Sequence, residues 1–224
     1  VGALNNDWPA ALCYLKERHD LSQPSDLVGL KIGGGQNSPV QVIVPEWLKG
    51  NGVDASSVTM MQLEPSVISA SLIEGDIDAG ECWFGNSIAV YQKRARDAGM
   101  TLGFLRYSDF NLNLYGNGIV TTEAMIAEKP ETVRRFLRAT YKGYAFASAN
   151  PEETADIMIG LYPTIDKAIT VQQITEMATL ISGPDAMGTL KRDKISQTMS
   201  FLAEAYDIDA SITVDDIYTT DFLQ

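Results

Sequence analysis

Three consecutive glycines, Gly33, Gly34 and Gly35, separate a short apolar stretch from a proline-led helical pattern. This run, KIGGGQNSPVQVIVPEW over residues 31–47, constrains the fold more than any other. Ser38 suits a helix N-cap, Pro39 the first helical position, and Gln41 the third, which completes a capping box. The expected unit is a strand, a glycine turn and an open helix N-terminus. There, unpaired backbone N–H groups and the helix dipole favour an anion or a polar ring edge. The same residues also spell an ordinary strand-to-helix turn of an α/β domain.

A chain of 224 residues can bury a real core and form one or two domains. Its formal net charge of −12 argues against a nucleic-acid partner, which would want a basic face. Cys13 and Cys82 make no disulfide framework and no metal-type spacing. They are expected as two isolated buried thiols, with pairing open to them in an oxidising compartment. His19 is the single histidine and falls in a polar turn, which leaves little for a histidine triad or a zinc site. No metal or cofactor is expected. No apolar run is long enough to cross a bilayer. The opening Val1-Gly2-Ala3-Leu4 has neither an initiator methionine nor a signal peptide, and reads as the end of a strand already under way. A processed chain or a piece of something longer is expected.

Strand and helix patterns alternate from residue 28 to 105. Strands are expected over 10–15, 30–33, 58–63, 77–83 and 102–105. Helices are expected from Ser38 to Gly50, with a kink at Pro45, then over 66–74 and 86–98. That alternation implies a mostly parallel sheet with helices on its faces. After Asn113 the character changes. One strand is expected over 114–121, and helices dominate from there: 130–149, 151–159, 166–181, 192–206 and a short acidic one within 215–223. In the first of these, Val133, Phe136, Leu137, Thr140, Tyr141 and Tyr144 share a face. Such amphipathic helices need an apolar partner. A second sheet is the natural one, yet only residues 1–4 and the strand near Ile119 are offered to it, so most of that sheet is expected from outside this sequence.

The order of landmarks DLVGLKIGGGQNSP, LKGNGVDASSVTMMQL and EPSVISASLIEGDIDAGECW resembles the bilobed solute-binding proteins of ABC importers. Within them it is most similar to the thiamine-pyrimidine-type (NMT/THI-like) group, which includes sulfonate, taurine and nitrate binders. The segment LYGNGIVTTEAMIAEKPETVRRFLRATYKGYAFASANPEETADIM is similar to that group's return crossover and first C-terminal helices. The resemblance implies a type II periplasmic-binding-protein-like fold, with one complete three-layer α/β lobe and the helical C-terminal part of another. Residues 1–11 would end lobe one and form the first crossover, 12–114 would be lobe two, and 115–224 the return crossover and lobe-one helices. About the first hundred residues expected of the family are absent. The resemblance implies a periplasmic or extracytoplasmic binding component that closes on a small-molecule ligand and delivers it to a membrane permease, without transforming it.

In open α/β lobes, ligands sit at the carboxyl ends of strands beside helix N-termini. That selects Gln36, Asn37 and Ser38 from the glycine turn, and the end of the DAGECW strand. Period-two alternation puts Glu81 and Trp83 on one face, a carboxylate acceptor beside a flat aromatic wall. An aminopyrimidine suits that pair, because its amino groups donate to the carboxylate while its ring stacks. A bare nitrate or sulfonate would be repelled. The alternative is that Glu81 bonds backbone at the strand end and Trp83 is core. Trp8, Tyr115 and Asn117 mark the crossovers and join the candidates, as does Glu64 at the end of the 58–63 strand. A sulfonate, taurine or nitrate binder, a pyrimidine-synthase-like enzyme and a sensor on the same fold are the competing readings. A dinucleotide site is disfavoured, since Ser38 stands where the third fingerprint glycine belongs.

Overall fold

The computed structural model describes residues 1–36, 38–182, 185–206, 208–209 and 211–223. In chain order the strands are β1 (Gly2–Ala3), β2 (Ala10–Leu15), β3 (Lys31–Gly35), β4 (Thr59–Leu63), β5 (Ala79–Trp83), β6 (Leu102–Arg106) and β7 (Gly118–Ile119). Helices α1 (Pro39–Gly50), α2 (Ile68–Glu74) and α3 (Ser87–Asp97) fall among them. After β7 come α4 (Glu123–Glu128), α5 (Pro130–Ala149), α6 (Pro151–Leu161), α7 (Lys167–Ile181), α8 (Arg192–Tyr206) and α9 (Val214–Ile217). The chain divides into two compact units, residues 10–112 and residues 1–9 with 113–224.

In the unit of residues 10–112 the sheet order is β4-β3-β5-β2-β6. The β4–β3 and β3–β5 ladders are parallel, as strand–helix–strand repeats dictate. The sheet is mostly parallel, as expected, with β2 reversed: it is antiparallel to both β5 and β6. No α-helix follows β2 to carry the chain back for a parallel return, and it reaches β3 through a polar turn and a 3₁₀ turn at Pro24–Leu27. All six residues of β2 are buried, which its unbroken apolar run AALCYL anticipates for a strand covered on both faces. Helices α2 and α3 cover Ala11, Cys13 and Leu15 with Ile68, Leu72, Ile88 and Tyr91.

The expected isolated thiols are also corrected: Cys13 and Cys82 form a disulfide. In the β2–β5 ladder Cys13 faces Gly80 and Cys82 faces Ala11, so the two cysteines are diagonal neighbours with Cα atoms 5.8 Å apart. Nothing in a spacing of 69 residues announces that register. Two helix starts differ as well. Ser38 Oγ accepts from Val40 N, but Gln41 completes no capping box, because its amide donates to the Met61 carbonyl instead. Helix α2 begins at Ile68, two residues later than expected, and α1 runs on through Pro45.

In the other unit, the expected strand over 114–121 shrinks to two residues, because β1 offers it only Gly2 and Ala3 as antiparallel partners. Val133 and Leu137 of α5 are buried with Phe222. Phe136, expected on the same face, is 58% exposed. Val120 at 88% and Leu161 at 69% are further apolar side chains left in solvent, so the helices of this unit cover little sheet among the described residues. Its tightest joint is Tyr141, whose hydroxyl donates to the Ala3 carbonyl at 3.0 Å. The ring lies against Gly2 and Gly188, and a Cβ on either would collide with it.

Two measurements test this packing. Cross-linking strands 69 residues apart stabilises the native state by about 4 kcal/mol in the chain-entropy account. A Cys13→Ala/Cys82→Ala variant, or the wild type under reductant, is expected to lose about 2–5 kcal/mol in urea unfolding of that unit. Burial pushes the Tyr141 hydroxyl up from 10.0 to about 12. The folded value lies above the unfolded one, so this contribution is complete below pH 10 and is lost as pH rises towards 12. Tyr141→Phe is expected to flatten the alkaline limb of a stability–pH profile followed by circular dichroism.

Candidate ligand-binding site

Strand β5 ends with Glu81 and Trp83, which the two-residue repeat places on one side of the strand. Glu81 is 8% exposed, and a carboxylate that deep must be hydrogen-bonded. Its Oε2 accepts from the Gly35 backbone N–H at 2.8 Å, and its Oε1 from the Trp83 indole N–H at 2.6 Å. The glycine run makes the first bond possible. A Cβ on Gly34 would lie 2.7 Å from Gln41 Nε2 and 3.4 Å from Glu81 Oε2, so any side chain there crowds the space that Gln41 and the carboxylate share. The triplet and the glutamate, 46 residues apart, are therefore one device.

Beside this pair opens a cavity of about 430 Å³, lined by Ser66, Glu81, Trp83, Ser87, Tyr91 and Arg94 among others. Ser87 Oγ accepts from the Trp83 backbone N–H at 2.9 Å. The Arg94 guanidinium donates to Ser69 Oγ, which ties α3 to α2. Burial, then the charge of Glu81, pushes the Tyr91 hydroxyl up, against a smaller opposite pull from Arg94 and Ser87. Tyr107 is fully buried and is driven well above its ordinary value by burial and again by Glu81. The field of one carboxylate thus reaches two phenols.

The other sequence-selected residues fall elsewhere. Gln36 is exposed, and its N–H donates to Leu63. Asn37 lies outside the described residues. Ser38 caps α1, and Glu64 is exposed with its carbonyl accepting from Val67 N. None of Gln36, Ser38 and Glu64 lines the cavity. Trp8, Tyr115 and Asn117 belong to the other unit. There the Trp8 N–H donates to Leu114, and the Asn117 carbonyl accepts from Leu4 and Asn5. Tyr115 Oη accepts from the Lys191 N–H at 2.8 Å, with Lys194 Nζ 5.1 Å from its ring centre. Ser66, Ser87, Tyr91 and Arg94 escaped selection. The last three sit at i, i+4 and i+7 of α3, a helical spacing visible in the sequence once its N-terminal end is placed beside β5. Among the described residues no group of His, Cys, Asp or Glu is placed to hold a metal ion, and no helix is long and apolar enough to cross a membrane.

Residues 1–154 match the family model described as NMT1/THI5 like. The chain belongs to the NMT1/THI5-like family. Among relatives, the riboflavin-binding protein RibY of Chloroflexus aurantiacus is 24% identical over 179 residues, covering 70% of this chain and 51% of that protein. The formylaminopyrimidine-binding protein of Halalkalibacterium halodurans is 26% identical over 147 residues, covering 65% of this chain and 43% of that protein. This family member therefore spans about half the length of the curated relatives it matches. Among solved structures, the periplasmic aliphatic sulphonate binding protein SsuA of Escherichia coli superposes with a TM-score of 0.70 at 12% identity, over 94% of this chain and 65% of that one. That likeness establishes the periplasmic-binding-protein fold.

The double anchoring of the carboxylate has a measurable consequence. Glu81→Ala leaves the Gly35 N–H and the Trp83 indole without their acceptor, at about 1–3 kcal/mol for buried donors. The expected result is an equivalent loss of stability in urea unfolding, together with a shift in tryptophan emission.

Proposed function

We propose that this protein is the substrate-binding component of an ABC importer, working outside the cytoplasm, and that its cavity at the end of β5 holds an amino-substituted nitrogenous heterocycle. A thiamine-precursor pyrimidine is one such molecule. The observation that carries the reading is the buried Glu81 carboxylate at the edge of a cavity walled by the Trp83 indole. Each carboxylate oxygen accepts one protein N–H and keeps capacity for another, so an exocyclic amino group can donate to it while the ring packs on the indole. A volume of about 430 Å³ is of the size that small-molecule sites use. Two relatives that bind nitrogenous rings by name support this class of ligand. The Cys13–Cys82 disulfide supports an oxidising compartment. The task is capture and delivery to a membrane permease, without chemical turnover.

Calorimetric titration of the 224-residue chain with 4-aminopyrimidines, taurine and nitrate tests this. The aminopyrimidine is expected to bind, the two small solutes not. Glu81→Gln, checked for folding, should weaken binding about tenfold or more, the loss of one charge-assisted hydrogen bond. Taurine or nitrate binding more tightly than the pyrimidine would sink the reading, as would a Glu81→Gln variant with undiminished affinity.

A further inference from the structure

Beyond the ring, we infer that the cavity is bipolar and selects a heterocycle that also carries an anionic oxyacid substituent, a carboxylate or a phosphate monoester, held by Arg94 with Ser87 and Tyr91. This rests on the heterocycle reading above and extends it to the far end of the ligand.

The cavity has charges of both signs on its wall. Strand β5 contributes Glu81 and Trp83, and α3 contributes Ser87, Tyr91 and Arg94 from successive turns. Glu81 and Arg94 do not neutralise each other, since the ion pairs found among the described residues include neither. One N–H of Arg94 is taken by Ser69 Oγ, which fixes the planar guanidinium against α2 and leaves its other donors for a ligand. The Tyr91 hydroxyl, pushed up by burial and then by Glu81 and drawn down by Arg94, lies within reach of both charges. Ser87 and Tyr91, one helical turn apart on α3, line the same wall.

That arrangement discriminates against simple ions. A bare anion near Arg94 also meets the field of Glu81, and a bare amine near Glu81 meets that of Arg94. One molecule that carries an amino ring edge at one end and an oxyanion at the other satisfies both. The planar fork of an arginine matches either a carboxylate or a phosphate.

The test is calorimetry on the full chain with three probes: 4-aminopyrimidine-5-carboxamide, the isosteric 5-carboxylate, and a 4-aminopyrimidine bearing a phosphate monoester at the 5-methylene. At least one anionic probe is expected to bind about tenfold tighter than the amide, and the tighter of the two identifies the oxyacid. Arg94→Gln is expected to collapse the anion-to-amide affinity ratio to near one. Arg94→Lys keeps a charge but loses the planar fork, so it should lower that ratio without abolishing it, and serves if Arg94→Gln fails to fold. Amide binding equal to or tighter than both anions overturns the inference while the heterocycle reading stands. A ratio that survives Arg94→Gln, or is unmoved in a folded Arg94→Lys protein, overturns it too. If none of the three probes binds, both readings fall.

Discussion

The bond from the Gly35 N–H to the Glu81 carboxylate is the constraint on which the candidate site depends. It joins the last residue of β3, where the chain leaves the sheet towards α1, to the middle of β5, two residues before the chain leaves towards α3. A carboxylate with so little exposure would be unstable without partners, and the nearest donors are a backbone amide and an indole rather than a cation. Neutral donors satisfy the group without discharging it. The charge of Glu81 adds to burial in pushing the Tyr91 and Tyr107 hydroxyls up.

The scaffold around that bond is stiffened on its other side. Strand β5 lies between parallel β3 and antiparallel β2, and the disulfide to β2 lies next along the strand from Glu81. The ladder hydrogen bonds and the covalent link act on consecutive residues. Shifting Glu81 relative to Gly35 would require slipping β5 against both neighbours, which the two-residue side-chain period forbids without turning buried groups outward. A site built this way is formed before any ligand arrives, so less conformational freedom is lost on binding.

Sequence reasoning recovered what depends on local pattern. The strand–helix alternation, Ser38 as an N-cap and the pairing of Glu81 with Trp83 follow from periodicities of two and 3.6 residues. It missed what depends on register between distant segments. The direction of β2, the Cys13–Cys82 bond and the diversion of Gln41 to Met61 all arise from which strands become neighbours. Ser87, Tyr91 and Arg94 were legible as one helix face but not as a wall, because the cavity exists only once α3 packs beside β5. The glycine triplet was read as a turn into an open helix N-terminus that favours an anion or a polar ring edge. The space beside Gly34 is taken by Gln41 and by the protein's own carboxylate.

Fold likeness and side-chain chemistry point to different levels of the function. Superposition on a sulphonate-binding protein at 12% identity speaks for the scaffold, and scaffolds of this kind do not determine what they bind. The wall of the cavity does. Two like charges about 4 Å apart repel by about 4 kcal/mol at an effective dielectric of about 20, enough to cost close to a thousandfold in affinity. On the proposed reading, an isolated sulfonate or nitrate that approaches Glu81 faces that repulsion, and Arg94 on the same cavity wall offsets it for an anion that it holds. Selectivity, on that reading, follows from having both signs on one wall: the ligand that fits brings an amino edge to the glutamate and a negative group to the arginine.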